Sequence, residues 1–468
     1  MRFRRPAPVV IAAFLVAGAC TSVDSGSPAG GSSSAGSGSG AGSGGGVIQG
    51  CNDPVTLPEP DSDRPRYELS VEVRPDDEVV SGRLSVVFIP DLRTDRLVFR
   101  LWPNGPRQAR EGTSLNVGAV RVDGRTAPSS RTDPTTLEVP IEGGLDPGDA
   151  VRAAMSWRLE LPGPVFDRIS SDGDSIRLGS FFPLLAWNPG EGWMTDPPTR
   201  SLAETSASPT ADFDVSVTVP QELEVIASGS PVGADMWRAR AMRDFAMTVG
   251  SFDVAQGTAL APDPVDVTVA VDDDVDESPE TYRDDAVRAL GELAESYGPY
   301  PWPTFNLVIT PHLAHAGIEY PTFVMQGAET SGLVTDHEVA HQWFYALVGS
   351  NPARAPWLDE GLTSYAQARI DDQIGFFADQ EIPEPVAGHL GAGMAFWDEH
   401  QADYFLGAYA QGVAALASLG DDEAVDCGLR RYVAANAYGI ADEADLLRAL
   451  RPSLPGAAAR LADFGVTP

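Results

Sequence analysis

The stretch TDHEVAHQWF, residues 335–344, sets His337 and His341 four positions apart, with Glu338 directly after the first, in a chain that has only six histidines. On a helix, side chains four apart leave from the same face, so the two imidazoles can converge on one metal ion at the ~2.0 Å distance that zinc prefers. Glu338 is turned about 100° around the axis. It therefore flanks the ion without binding it, within reach of a water that could serve as nucleophile. The competing account is a pair of surface histidines on an acidic helix. In so histidine-poor a sequence, a chance HExxH is rare, and this weighs for the metal.

A hydrolytic zinc needs three protein ligands and one open position. A third histidine at the HExxHxxGxxH spacing is excluded, because Phe344 and Leu347 stand at the glycine and histidine positions. The alternative is a carboxylate on a following helix. PWLDEGLTSYAQ supplies Asp359 and Glu360, and we favour Glu360, which eighteen residues separate from His341.

Around these residues the sequence changes character once. From 67 to 258, short runs such as YELSVEVRP, GRLSVVFIP and FDVSVTVP alternate apolar and polar residues between Gly, Pro, Asn and Asp, as the strands of an antiparallel sandwich or saddle do. Beyond 260 the pattern becomes helical. In SPETYRDDAVRALGELAESYG, Ser278 can cap, Pro279 suits the first turn, Tyr282, Ala286, Leu290, Leu293 and Tyr297 share a face, and Gly298 ends the run. FNLVIT reads as a strand and HAGIEYPTFVMQ as an edge strand. Further helices are expected at the HExxH motif, at WLDEGLTSYAQARIDDQIG and at GAYAQGVAALASLG. The expected class is α+β with several domains, divided as 1–20, 21–50, 51–260 (β-rich) and 261–468 (mostly α-helical).

Residues 1–20 carry Arg2, Arg4 and Arg5 before an apolar run too short to span ~30 Å of hydrocarbon. They read as a signal peptide. Its end, LVAGAC, resembles a lipobox, which would make Cys20 a lipidated N-terminus anchoring the chain to a membrane. Residues 21–50, nearly all Ser, Gly and Ala, form a flexible linker with a reach of roughly 30 Å. Cys51 and Cys427 are then a candidate disulfide in an oxidising compartment. A net charge of −35 repels phosphate backbones and excludes nucleic acid as a partner. The acidic run at 272–276 lacks the glycine and closing glutamate of a calcium loop and reads as solvated. His312, His315, His389 and His400 have no ligand spacing with the motif, and His315 is a candidate for lining a cleft.

HEVAHQWF, the eighteen-residue gap and WLDEGLTSY together resemble the aminopeptidase N family of zinc metallopeptidases, peptidase family M1. YGPYPWPTFNLVIT, GIEYP, YAQGVAALASL, LVFRLWPN and RDFAMTVGSF extend the likeness from about residue 67 to the end. The resemblance implies a saddle-shaped N-terminal β domain on a thermolysin-like catalytic domain, without the large C-terminal helical domain of many relatives. It makes His337, His341 and Glu360 the ligands of one zinc ion and Glu338 the general base. It nominates Tyr409, in YAQG, as the oxyanion donor, with Tyr404 as competitor and Gln411 where the family usually has lysine. It assigns Glu319, in AGIEY, to the substrate α-ammonium, although Ile318 and Tyr320 depart from the family's Gly-Ala-Met-Glu-Asn. The implied activity is removal of N-terminal residues from peptides outside the cytoplasm, with a comparatively open cleft that admits oligopeptides. A zinc metalloendopeptidase and an inactive surface binding lipoprotein remain the alternatives.

Overall fold

A computed structural model describes residues 50–467 except Asn52, 202–206 and Ser331. The expected signal peptide, Cys20 and nearly all of the linker lie outside the described residues. Within Arg66–Arg74 exposure alternates strictly, sending Tyr67, Leu69, Val71 and Val73 inward, as period-2 geometry requires of a half-buried strand. This strand lies inside a nine-stranded sheet, between Val79–Phe88 and Ala211–Thr218. The sheet departs from the purely antiparallel expectation. Arg66–Arg74 pairs with Ala211–Thr218 in parallel, because the intervening chain first builds one four-stranded sheet and half of another and returns from the same end. One short helix, Pro106–Arg110, interrupts this otherwise β-rich half.

Phe252–Leu260 pairs along its whole length with Pro264–Asp272 and opens the second-largest sheet, of five strands. Next come Thr304–Thr310, Phe323–Gly327 and, at the far edge, Gly317–Tyr320. HAGIEYPTFVMQ therefore holds two strands, and only the first is an edge. Asp272, expected in a solvated loop, is the buried last residue of its strand. It accepts hydrogen bonds from Ser175 Oγ at 2.6 Å and from the Asp274 amide at 3.1 Å. The helix Pro279–Tyr297 buries the five residues assigned to its inner face. Ser278 does not cap it. The Ser278 hydroxyl donates instead to Glu280, at 2.5 Å.

Two buried arginines hold the β-rich half against the frame of the HExxH segment. Arg177, on Ser175–Leu178, donates to the carbonyls of Val165 and Pro311 and to Thr310 Oγ1, at the end of a central strand of the five-stranded sheet. Arg243 donates to the carbonyls of Tyr345 (3.0 Å), Leu347 (3.2 Å), Ser208 (3.2 Å) and Gly439. Tyr345 and Leu347 belong to the π-helical turn Gln342–Leu347 that continues the HExxH helix, so the guanidinium satisfies carbonyls that the widened turn frees. Burial pulls the Arg243 pKa down to about 10, which still leaves it charged. Arg243→Ala is expected to strand these acceptors and to destabilise the fold by about 3 kcal/mol, read as a lowered midpoint in denaturant melts. Among the described residues, no helix is long and apolar enough to cross a membrane.

Candidate metal centre and cleft

The HExxH residues occupy the last two turns of the helix Gly332–His341. Arg288, from the helix Pro279–Tyr297, fixes this helix by donating to both oxygens of Asp336, at 2.7 and 2.6 Å. Glu360 comes from the next long helix, Trp357–Ile370. His337 Nε2 and His341 Nε2 lie 3.2 Å apart, and Glu360 Oε2 is 3.5 Å from the first and 3.4 Å from the second. Three ligands on a tetrahedral ion with bonds of about 2.0–2.1 Å stand about 3.3–3.4 Å from one another. The near-equilateral triangle therefore fits one zinc ion. Glu360 Oε2 is buried and accepts no hydrogen bond, a costly state for a carboxylate oxygen unless a cation is its partner.

The outer nitrogen of His341 is held by the Trp357–Ile370 helix as well. His341 Nδ1 lies 2.9 Å from Asp359 Oδ1 and 3.1 Å from Thr363 Oγ1. Since a carboxylate only accepts, Nδ1 carries the proton and Nε2 is left with its lone pair facing the triangle. Asp359, the other ligand candidate in the sequence, thus supports the site from behind. Glu319 Oε1 approaches the same nitrogen at 3.9 Å, and Glu319, His341 and Asp359 form a second cluster of ligand-type atoms on that side. Gln367, on the same Trp357–Ile370 helix, favours a proton on His337, and its Nε2 donates to Asp371 at 3.2 Å.

Burial lowers the pKa of His337 and keeps its ring neutral. Burial disfavours charge on His341 too, but the carboxylates of Glu319 and Asp359 outweigh it and raise its pKa well above the usual range, so a metal binding at Nε2 would take the place of a second ring proton. Burial also opposes ionisation of Glu360, yet the two imidazoles bring its carboxyl down to about 2. Glu338 goes the other way. Burial, reinforced by Glu360 and Asp359 against the pull of His341, raises it to about 8. These opposed shifts on two neighbouring carboxyls separate an ionised ligand from a group able to hold a proton near neutrality.

Gly317 and Glu319 are two apart on the edge strand Gly317–Tyr320, so both face the metal side, while Ile318 and Tyr320 are buried on the other. A Cβ at Gly317 would lie 2.3–2.4 Å from the Cδ, Cγ and Oε1 of Glu338. The missing side chain is the space that the carboxyl occupies. Gly317→Ala is expected to push Glu338 out of line by about 1 Å and to cost about 100-fold in turnover, with metal content unchanged on elemental analysis.

Tyr409 sits in a second π-helical turn, Phe405–Ala410, which leads into Gln411–Ala417. Its ring stacks on that of His337, with centroids 5.7 Å apart and planes 15° from parallel, which brings it beside the ligand triangle. Burial and the Glu360 carboxylate push its pKa well above the ordinary value, so it remains a donor. Glycines make this approach possible, since a Cβ on Gly412 would stand 2.6 Å from the Cα of Gly361. Tyr404 meets Tyr409 edge to face at 5.7 Å and Trp397 at 5.5 Å, one ring further from His337. Gln411 is buried and bonds to backbone at Gly388, Val386 and Gly407, a structural role for the residue at the family's lysine position.

Among the other histidines, His312 pairs with Asp172 at 2.8 Å, and His389 and His400 stack on either side of Phe396. His315 is exposed, two residues before Gly317, at a positive φ of 61°. Cys51 and Cys427 are joined as a disulfide. Sequence reasoning missed Gly317, Thr363, Gln367 and Arg243. A glycine just before the candidate ammonium-binding glutamate was the one signal available for the first.

No family model matches the chain. Over 189 residues, 36% of its length, it is 30% identical to leucine aminopeptidase 2 of Aspergillus niger, and the match spans 30% of that protein. Over 103 residues, 20% of its length, it is 34% identical to human aminopeptidase B, spanning 16% of that protein. The matched regions thus cover less than a third of these curated relatives. Among solved structures, an M1 zinc metallopeptidase from Deinococcus radiodurans superposes with a TM-score of 0.65 at 20% identity, covering 90% of this chain and 97% of that one. A two-domain M1 zinc metallopeptidase variant bound to L-arginine gives 0.64 at 21%, covering 90% and 98%. With nine-tenths of its length superposed and the HExxH triangle in place, the chain has the fold of the M1 zinc metallopeptidases.

Proposed function

We propose that the protein is a zinc aminopeptidase that removes residues from the N-termini of peptides. The observation that carries this reading is the triangle of His337 Nε2, His341 Nε2 and Glu360 Oε2, with edges of 3.2–3.5 Å. His337, His341 and Glu360 would hold a zinc ion there, which would supply a Lewis acid for the scissile carbonyl and lower the pKa of a water. Glu338 takes the proton from the attacking water and delivers it to the departing amine; burial raises its pKa, and a cation in the triangle would draw it back toward the ionised form that a base requires. Tyr409, held protonated, donates to the oxygen on which negative charge develops. Glu319 accepts the α-ammonium of the substrate, placing the first peptide bond at the metal. A solved neighbour carrying a Tyr-Ser-Ala substrate supports peptides as the substrate class.

Export and anchoring through Cys20 belong to the same proposal. The Arg-bearing leader and the Cys51–Cys427 bridge support it, since such bridges persist in oxidising compartments. The test of the activity pairs one peptide with its N-acetylated form, each with and without a chelator, on protein assayed for zinc. One zinc per chain, cleavage of the free peptide alone and loss of cleavage on chelation are the expected results. Equal cleavage of both forms would assign a metalloendopeptidase and remove the role given to Glu319.

A further inference from the structure

A large aromatic ring left in water offers apolar area that a ligand side chain can cover with gain. Phe405 is 55% exposed, and it is not isolated from the chemistry. Its ring meets that of Tyr409 at 5.2 Å, tilted by 35°, and Tyr409 in turn stacks on His337 at 5.7 Å. The π-helical turn Phe405–Ala410 puts these two aromatics four positions apart on the same side, while Tyr404 turns toward Trp397. A ladder of three rings therefore runs from a metal ligand outward to solvent.

The ladder has a direction relative to a bound peptide. Glu319 lies on the His341 flank of the ligand triangle, 3.9 Å from His341 Nδ1. Tyr409 and Phe405 lie on the His337 flank. A peptide with its ammonium at Glu319 and its first carbonyl at the triangle continues past Tyr409 toward Phe405. We propose that Phe405 forms an apolar subsite for the side chain of the residue immediately after the scissile bond, giving a preference for leucine or phenylalanine there. Covering the ring with an apolar side chain removes two hydrocarbon surfaces from water, whereas a serine offers almost none.

This inference rests on the aminopeptidase reading. The test compares kcat/KM of the zinc-loaded full chain on two tripeptide series. One, Ala-Phe-Ala, Ala-Leu-Ala and Ala-Ser-Ala, varies the leaving side; the other, Phe-Ser-Ala, Leu-Ser-Ala and Ala-Ser-Ala, varies the N-terminal side. Wild type is expected to favour Ala-Phe-Ala over Ala-Ser-Ala by on the order of 10-fold. Phe405→Ser should bring that ratio close to one, and Phe405→Leu should keep most of it. An unchanged ratio in Phe405→Ser, or a change confined to the N-terminal series, would overturn the subsite while leaving the aminopeptidase intact. Failure of wild type to cleave either series would overturn the parent reading and the subsite with it.

Discussion

Glu338→Gln is expected to retain one zinc per chain and to lose turnover by about 10⁴-fold, the upper end of what a positioned acid–base group contributes. The amide fills the same space against Gly317 but can neither accept the proton of the water nor return it to the leaving amine. Glu338 Oε2 is buried without a hydrogen-bond partner, so the substitution breaks no structural bond at that oxygen and melting behaviour should barely move. Elemental analysis and steady-state kinetics on one preparation separate the outcomes. Zinc retained with turnover intact would mean that another group carries the proton.

Glu360→Gln should have the complementary signature, in which metal is lost first and activity follows. The carboxylate supplies one corner of the triangle and the only negative charge in it, and the two imidazoles keep it ionised down to about pH 2. A neutral amide oxygen is a much weaker ligand. Weakening an outer hydrogen-bond partner of a ligand already costs 10–100-fold in affinity, so losing the ligand itself should cost at least about 100-fold. Competition with a chromogenic chelator measures it directly. The variant should still fold, since Asp359 still bonds to His341 and Gly361 still packs against Gly412. If zinc stoichiometry and affinity matched wild type, the ligand assignment would be wrong.

The parts of this centre that were legible in the sequence are those set by local geometry. His337, Glu338 and His341 lie on one helix, whose periodicity alone aims the imidazoles, and the inner face of Pro279–Tyr297 followed from the same rule. Glu319 and Tyr409 were reachable only through resemblance to a family, because an edge strand and a later helix reach the metal by packing that no local pattern encodes. Asp359 shows how close a correct chemical intuition can come to the wrong role. It is a buried carboxylate beside the ligand triangle, but one residue step, about 100° around the helix, turns it to the back of His341. Gly317, Gly361 and Gly412 were invisible as functional residues, since what matters about each is an atom it lacks. Arg243 belongs to the β-rich half and acts on the frame of the HExxH segment about a hundred positions later. Ser278 has the right type for a cap, yet a nearby glutamate captured its hydroxyl.

The bridge between Cys51 and Cys427 fastens the start of the described chain to the helix Asp422–Asn436, and Arg430 adds hydrogen bonds to the carbonyls of Cys51 and Asp53. Any pull transmitted through the residues ahead of Gly50 consequently arrives at this helix and does not reach Arg66–Arg74. That strand, sandwiched between two neighbours at the start of the fold, would otherwise be the first to be peeled out, one backbone rung at a time. With the bridge closed, such a load falls on a packed helix, and the strand is bypassed.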